Sequence, residues 1–465
     1  MIYDLAIIGA GSGGLSVAAA AAQFGRRVIL FEKGRMGGDC LNYGCVPSKA
    51  LIAAAKQAHV FRTSGPYGIS AAEPKVDFKK VHAHIRKVIA AIEPNDSAAR
   101  FEKLGVKVVL SAARFRDAKT VETSEGAFAA KRFVIATGSR PAVPPIPGLE
   151  TVTYFTNETI FENTVLPRHL IIIGGGAIGV ELAQAYRRLG SAVTVIEAAG
   201  LLSKEDPELT AIVLECLRED GVKILTQVAV KKISKLKADI VLETEGRGKI
   251  TGSHLLVATG RAANVEGLNL EAAGVVYTAK GVTVDKGLRS SQKHIYAIGD
   301  MAGGLQFTHV ANYHAGLVIR NALFRLLVAN RTDIIPKVTF TDPELAQVGL
   351  TEAEAVKEFG PSIKVVRWPF HDNDRAQAEG KTIGLIKAII GKRGKILGVG
   401  IVGANAGEVI QPWILAMTEG LKIRAIAGMV APYPTLGEIN RRVAVNYFSG
   451  LASNPWVRRV IRVLS

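Results

Sequence analysis

The chain has 465 residues, 48% hydrophobic and 21% charged, enough for two or three domains with substantial cores. Three cysteines in such a length exclude a disulfide framework of the secreted kind and favour a reducing cytoplasm, and no run of about 18 apolar residues is present to cross a bilayer. The formal charge of +17 would attract nucleic acid or anionic lipid, but the basic residues are scattered without dense runs or interleaved aromatics, so no nucleic-acid partner is expected.

The chain opens on "MIYDLAIIGA", where Asp4 interrupts the apolar run and neither a basic leader nor a cleavage site is seen, so it reads as a strand rather than a signal peptide. The segment "LAIIGAGSGGLSVAAAAAQFGRRVILFEK" follows a plan that returns in "LIIIGGGAIGVELAQAYRRLGSAVTVIEA": apolar strand, glycine turn, small-residue helix, second apolar strand, glutamate. The interval from Gly9 to Glu32 equals that from Gly174 to Glu197, 23 residues in each. A lone glycine turn carries little weight, but two copies in register predict two dinucleotide-binding units. Gly9 and Gly174 serve the tight turn, Gly11 and Gly176 leave room for pyrophosphate oxygens, and Gly14 and Gly179 let the helix approach the strand. Glu32 and Glu197 are placed to accept hydrogen bonds from a ribose diol. A 2′-phosphate would be repelled by Glu197 and would want arginines beyond it, whereas the chain continues "AAGLLSKEDPELT", so NAD(H) is favoured over NADP(H).

Directly after the first unit comes "GGDCLNYGCVPSKALI", which holds Cys40 and Cys45. A structural disulfide, a zinc half-site and chance compete with a redox pair. A bridge over so short a loop stabilises little, and no second Cys or His pair offers zinc its four ligands. "CVPSKALIAAAKQAH" begins a helix with Pro47 in its first turn, so Cys45 stands where the helix dipole favours a thiolate, with Lys49 one turn on. Further along, "FVIATGSRP" and "LLVATGRAA" each look like a chain returning from a nucleotide domain, and "HIYAIGDMAGG" ends a strand in a turn where Asp300 meets polyol hydroxyls. Cys216 reads as a small buried helix residue, and His309 and His314 as packed histidines. From Ile335 onward, "KTIGLIKAII" and "KILGVGIVG" indicate an α+β domain without a nucleotide signature.

Together "GGDCLNYGCVPSK", the two glycine units, the "ATG" returns, "AIGD" and the late "PYPTLGE" resemble the class I pyridine nucleotide-disulfide oxidoreductases, the group of glutathione reductase, lipoamide dehydrogenase and mercuric reductase. The resemblance covers essentially the whole chain. It implies an α/β fold with an FAD-binding domain at 1–145 and 270–334, an NAD(P)-binding domain at 146–269, and an interface domain at 335–465 that makes a homodimer. It implies FAD and NAD(H) as cofactors, with Lys33, Gly38, Gly138 and Gly260 joining the cofactor-binding residues. By the same resemblance Cys45 is the flavin-proximal thiol, Cys40 the interchange thiol, Lys49 pairs with Glu181 beside the flavin, and Asp300 meets the ribityl chain. Hydride then passes from nicotinamide to flavin, and electrons pass to the Cys40/Cys45 disulfide.

The chain departs from that pattern in "APYPTLGEIN", where Tyr433 takes the position of the usual base histidine and Glu438 that of its orienting glutamate. A phenol, with a pKa of about 10, is a proton donor near neutrality and a poor base. Tyrosine at this place is what mercuric reductases show, yet no cysteine follows Cys216 to form their metal-collecting pair. "NDRAQAEGKTIGLIKAI" and "GANAGEVI" lean toward lipoamide dehydrogenase, and Asp39 and Tyr43 alter the cysteine motif. The leading expectation is dihydrolipoamide dehydrogenase-like chemistry on a small disulfide or a lipoyl-carrying protein. The alternatives are metal-ion reduction of the mercuric type and a basic binding protein of little turnover. In the tail "NPWVRRVIRVLS", Trp456, Val457, Val460, Ile461 and Leu464 share one helix face opposite Arg458, Arg459 and Arg462. Two readings stay open for it: weak peripheral contact with an anionic membrane, or docking on its own domain.

Overall fold

The computed structural model describes residues 1–452 and 454–464, which fall into two compact units. The first comprises residues 1–174, 188–192 and 230–330; the second comprises 175–187, 193–229 and 331 to the C-terminus. In chain order the elements that position the site are β1 (Leu5–Ile8), α1 (Ser12–Gln23), β2 (Val28–Phe31), α2 (Gly38–Asn42), α3 (Cys45–Thr63), β3 (Lys107–Val109) and β4 (Phe133–Ile135). They are followed by β5 (His169–Ile173), α4 (Ala177–Arg188), β6 (Ala192–Glu197), α5 (Pro207–Glu219), β7 (Lys223–Thr226), β8 (His254–Val257), β9 (Ile295–Ala297) and α6 (Thr308–Leu323).

In the first unit a five-stranded parallel sheet runs β9-β4-β1-β2-β3. Every residue of β1 and β2 is buried, as continuous apolar runs require in a parallel sheet covered on both faces. The small residues of α1 let it lie close to α6: a Cβ added at Gly13 would stand 3.2 Å from the Ala311 Cβ. The same unit holds the parallel pair β5–β8, with Leu170 to Ile173 opposite His254 to Val257.

In the second unit β6 pairs in parallel with β7. An antiparallel sheet follows, built from β10 (Lys337–Thr339), β11 (Glu344–Gly349), β12 (Lys364–Pro369), β13 (Leu385–Ile390) and β14 (Ile396–Gly403) in the order β10-β11-β14-β13-β12. All eight residues of β14 are buried. At Gly400 a side chain would collide with Leu209 of α5, its Cβ 2.3 Å from the Leu209 Cδ1, so glycine there admits the helix. Trp413 is fully buried and donates its indole N–H to Asn440 Oδ1 at 2.7 Å, which pins α7 (Glu438–Asn446) to this core. Under the same sheet Lys387, with a side chain 4% exposed, lies 2.9 Å from Asp206, 2.8 Å from Glu208 and 2.6 Å from Glu352. Arg367 closes the network by pairing with Glu208 and Glu352. The last described element is α8 (Pro455–Leu464), whose Asn454 side chain accepts the Trp456 N–H. None of its residues is buried. Among the described residues no helix is long and apolar enough to cross a membrane.

Candidate active site

The two glycine turns share one construction. Gly9 has φ +106° and a Cβ there would lie 2.4 Å from the Ala136 carbonyl oxygen; Gly174 has φ +114° and a Cβ would lie 2.3 Å from that of Ala258. Ala136 and Ala258 open the two "ATG" returns, so each return packs against the first glycine of its own turn. At Gly11 and Gly176 nothing stands within 4 Å of an added Cβ, the open cradle that a pyrophosphate at a helix N-terminus needs. A Cβ on Gly14 would strike the Gly9 oxygen at 1.9 Å, which explains the third glycine of the first turn. These features fit the pyrophosphate of a dinucleotide at each turn.

Glu32 and Glu197 also behave as twins. Glu32 Oε2 accepts the Ala10 N–H at 2.7 Å and Oε1 that of Gly34 at 2.6 Å. Glu197 Oε2 accepts the Gly175 N–H at 2.7 Å and Oε1 that of Ala199 at 2.9 Å. Each glutamate thus ties the glycine turn to the end of its own second strand. Lys33 is exposed, and Gly38, Gly138 and Gly260 all have positive φ.

Cys40 lies within the short helix α2 and Cys45 is the first residue of α3, as the proline spacing predicts. Both are free thiols in contact, and their mutual hydrogen bond polarises them. The Cys40 hydrogen bond lowers the Cys45 pKa to about 6 against the opposing effect of burial, with further lowering from the Thr308 hydroxyl and the Lys49 charge. Cys40 is driven strongly upward by that same bond, then by burial, so it keeps its proton. Thr308 Oγ1 lies 3.2 Å from Cys45 Sγ, at the first residue of α6. No sequence pattern marks Thr308, which reaches the cysteines from 263 positions away.

Asp39, beside Cys40, opposes ionisation of both thiols. Its Oδ1 accepts from Asn157 Nδ2 at 3.1 Å, and its Oδ2 pairs with Arg261 Nη2 at 3.3 Å. Arg261 Nε also lies 3.7 Å from Asp300 and donates to Ser139 Oγ at 2.7 Å, while the Ser139 hydroxyl donates to Asp300. Burial raises the Asp300 pKa, and the Ser139 bond and Arg261 charge oppose it. Arg261, in the second "ATG" return, is a site residue that its own motif did not reveal. His314 is buried and its Nδ1 accepts the Gly299 N–H at 3.2 Å, so it packs as expected, while His309 stacks on Phe307. Cys216 is a buried residue of α5 whose thiol burial pushes up to about 11, an inert position.

In the second unit Glu181 is buried on α4 and its Oε1 accepts the Phe340 N–H at 2.9 Å. The Tyr433 hydroxyl donates to Asp374 Oδ2 at 2.9 Å, and this bond holds the phenol above its ordinary pKa. Glu438 is buried and its Oε1 accepts from Arg442 Nε at 3.0 Å, one helical turn along α7, while its charge adds to the rise of the Tyr433 pKa. Asp374 lies 59 residues before the tyrosine it binds, beyond the reach of any local motif. Among the described residues no group of three or more His, Cys, Asp or Glu could hold a metal ion.

Residues 3–315 match the family described as pyridine nucleotide-disulphide oxidoreductase, and residues 335–444 match its dimerisation domain. A mercuric reductase of Streptomyces lividans is 37% identical over 465 residues, covering 97% of this chain and 97% of that protein. A dihydrolipoyl dehydrogenase of Geobacillus stearothermophilus is 35% identical over 458 residues, covering 94% of each. Among solved structures, the Cu(II) complex of the HOCl-induced flavoprotein disulfide reductase RclA from Escherichia coli superposes with a TM-score of 0.85 at 29% identity, covering 95% of this chain and 99% of that one.

Proposed function

Because the chain belongs to the pyridine nucleotide-disulphide oxidoreductase family, whose members bind FAD, use a pyridine nucleotide and dimerise, we propose that it is an NADH-linked reductase of a small disulfide or a lipoyl group. What supports this reading is the placement of the pair: Cys40 in α2 and Cys45 at the start of α3, with Thr308 Oγ1 3.2 Å from the Cys45 sulfur, an arrangement that favours the Cys45 thiolate and leaves Cys40 protonated. In the reduced enzyme Cys45 is the flavin-proximal thiolate and Cys40 the interchange thiol, which passes its proton to the Cys45 thiolate before its own sulfur attacks the acceptor disulfide and releases one of that disulfide's sulfurs as a thiolate. Bound FAD would supply the electron relay between nicotinamide and the cysteines. Lys49 and Glu181 are assigned to the flavin's reactive edge, the 1–145 and 270–334 segments to FAD, 146–269 to NAD(H) and 335–465 to the dimer interface. Glu197 is assigned to the nicotinamide ribose, the ground for NADH over NADPH.

Tyr433 is a poor base. Its hydroxyl donates to Asp374 and its pKa is held above the ordinary value, so near neutral pH it does not take a proton from a dithiol. Dihydrolipoamide oxidation near neutrality is therefore expected to be slow unless another group serves as the base. Metal-ion reduction is the second reading, favoured by the mercuric reductase relatives and by Tyr433, and opposed by the lack of any cysteine after Cys216. A cytoplasmic location fits three free cysteines.

A steady-state panel on the purified flavoprotein tests the proposal: NADH and NADPH, each against lipoamide, glutathione disulfide, Hg²⁺ and Cu²⁺. NADH-driven disulfide turnover that is lost in Cys40→Ser and Cys45→Ser is expected. Turnover with Hg²⁺ or Cu²⁺ alone would favour the metal reading, and no turnover with any acceptor would favour a binding role.

A further inference from the structure

The helix α8 lies beyond residue 444, where the match to the dimerisation domain ends. Its apolar side chains face outward: Trp456 is 74% exposed, Ile461 60% and Leu464 82%. A single exposed leucine would need no explanation, but a stripe of Trp456, Val460, Ile461 and Leu464 at helical spacing is an apolar face with nothing over it among the described residues. The opposite face carries Arg458, Arg459 and Arg462. No aspartate or glutamate follows Glu438, so the last 27 residues carry positive charge only.

We propose that α8 docks reversibly on an anionic phospholipid surface. A helix of 10 residues is about 15 Å long, half the hydrocarbon thickness, so it lies in the interface and does not cross it. In that plane the apolar stripe enters the acyl boundary, the Trp456 indole sits at headgroup level, and the arginines meet phosphates. The chain's charge of +17 adds a long-range attraction of the same sign. An apolar protein groove would cover the stripe but would leave the one-signed arginine face unexplained, and charge complementarity selects the lipid.

The test is co-sedimentation of the full-length flavoprotein with vesicles of mixed phosphatidylglycerol and phosphatidylcholine, or of phosphatidylcholine alone, at low and high salt. Binding to the anionic vesicles at low salt, lost at high salt and on neutral vesicles, is expected. Each arginine near the surface is worth about fivefold in partitioning, so a variant with Arg458, Arg459 and Arg462 all changed to Gln should bind about 100-fold more weakly. Trp456→Phe should remove a blue shift of tryptophan emission seen on adding vesicles. Unaltered NADH oxidation by these variants would show that they are folded. Equal sedimentation of the full chain and a chain ending at Ser453 would overturn the proposal. So would dissociation of the dimer on that truncation, which would make the stripe a contact with a second copy.

Discussion

Thr308 should set where Cys45 ionises. Its hydroxyl lies 3.2 Å from the Cys45 sulfur, and the thiol's pKa of about 6 rests on the Cys40 bond first and on Thr308 after burial is overcome. A hydrogen bond to a charged group contributes about 1.5–3 kcal/mol, and exposure of the Cys45 side chain argues for the lower figure. Because about 1.4 kcal/mol corresponds to one pH unit, Thr308→Val should move the midpoint from about 6 to about 7. The sign follows from which form is bonded: the thiolate gains the bond, so it dominates above the midpoint and is lost as the pH falls through it. At a pH of about 6.5 the thiolate fraction should drop from roughly three quarters to roughly one quarter. The measurement is a pH titration of the thiolate-to-flavin charge-transfer absorbance in the two-electron-reduced enzyme. Thr308→Ser, which keeps the hydroxyl, should titrate like the parent. An unmoved midpoint in Thr308→Val would refute the reasoning and leave Cys40 and the Lys49 charge as the sources of the depression.

Three further outcomes are expected. Lys387→Met should destabilise the second unit by about 3–5 kcal/mol in chemical denaturation, because the buried Asp206 carboxylate would lose its cation while Glu208 and Glu352 keep Arg367. In the parent, Arg367 first and then Lys387 hold the Glu208 pKa at about 2, below its unfolded value of about 4.3. That contribution is complete above about 4.3 and fades as pH falls toward 2, so thermal unfolding midpoints should decline across that window and more weakly in Arg367→Gln. Tyr433→His should raise dihydrolipoamide oxidation near neutral pH by tenfold or more, on the order of one general-base contribution, while NADH-driven disulfide reduction changes little. An unchanged rate of dihydrolipoamide oxidation would mean that another group is the base.

The glycine turns were readable because their constraints are local. A positive φ at Gly9 and Gly174 and an acid 23 residues later are properties of one strand-turn-helix-strand unit, whatever the rest of the chain does. The placement of Cys45 at the start of α3 was readable for the same reason, since Pro47 and the apolar spacing act within one turn. Thr308, Arg261 and Asp374 were not readable. Each becomes part of the site through pairing across the fold: Arg261 through a strand that runs against Ser139 to Pro141, and Asp374 through its bond to a tyrosine 59 positions on. Glu438 matched a motif by position, but its bond to Arg442 one turn later is a feature of the helix that the motif does not announce. Helical spacing likewise announced the amphipathic tail without saying whether its apolar face would be covered.

The paired amide bonds of Glu197 bear on how such an enzyme could change coenzyme. The glutamate proposed to read the ribose is also the clasp between Gly175 and Ala199. Exchanging it for a neutral residue would loosen the loop that cradles the phosphates at the same moment that it relaxed the discrimination, so specificity and loop order are inherited as one trait. A lineage moving toward the phosphorylated coenzyme would therefore travel through added cations around an unchanged Glu197 before altering the glutamate itself. On the first turn Glu32 clasps Ala10 and Gly34 in the same way, so there too the ribose-facing carboxylate and the order of the loop are one feature.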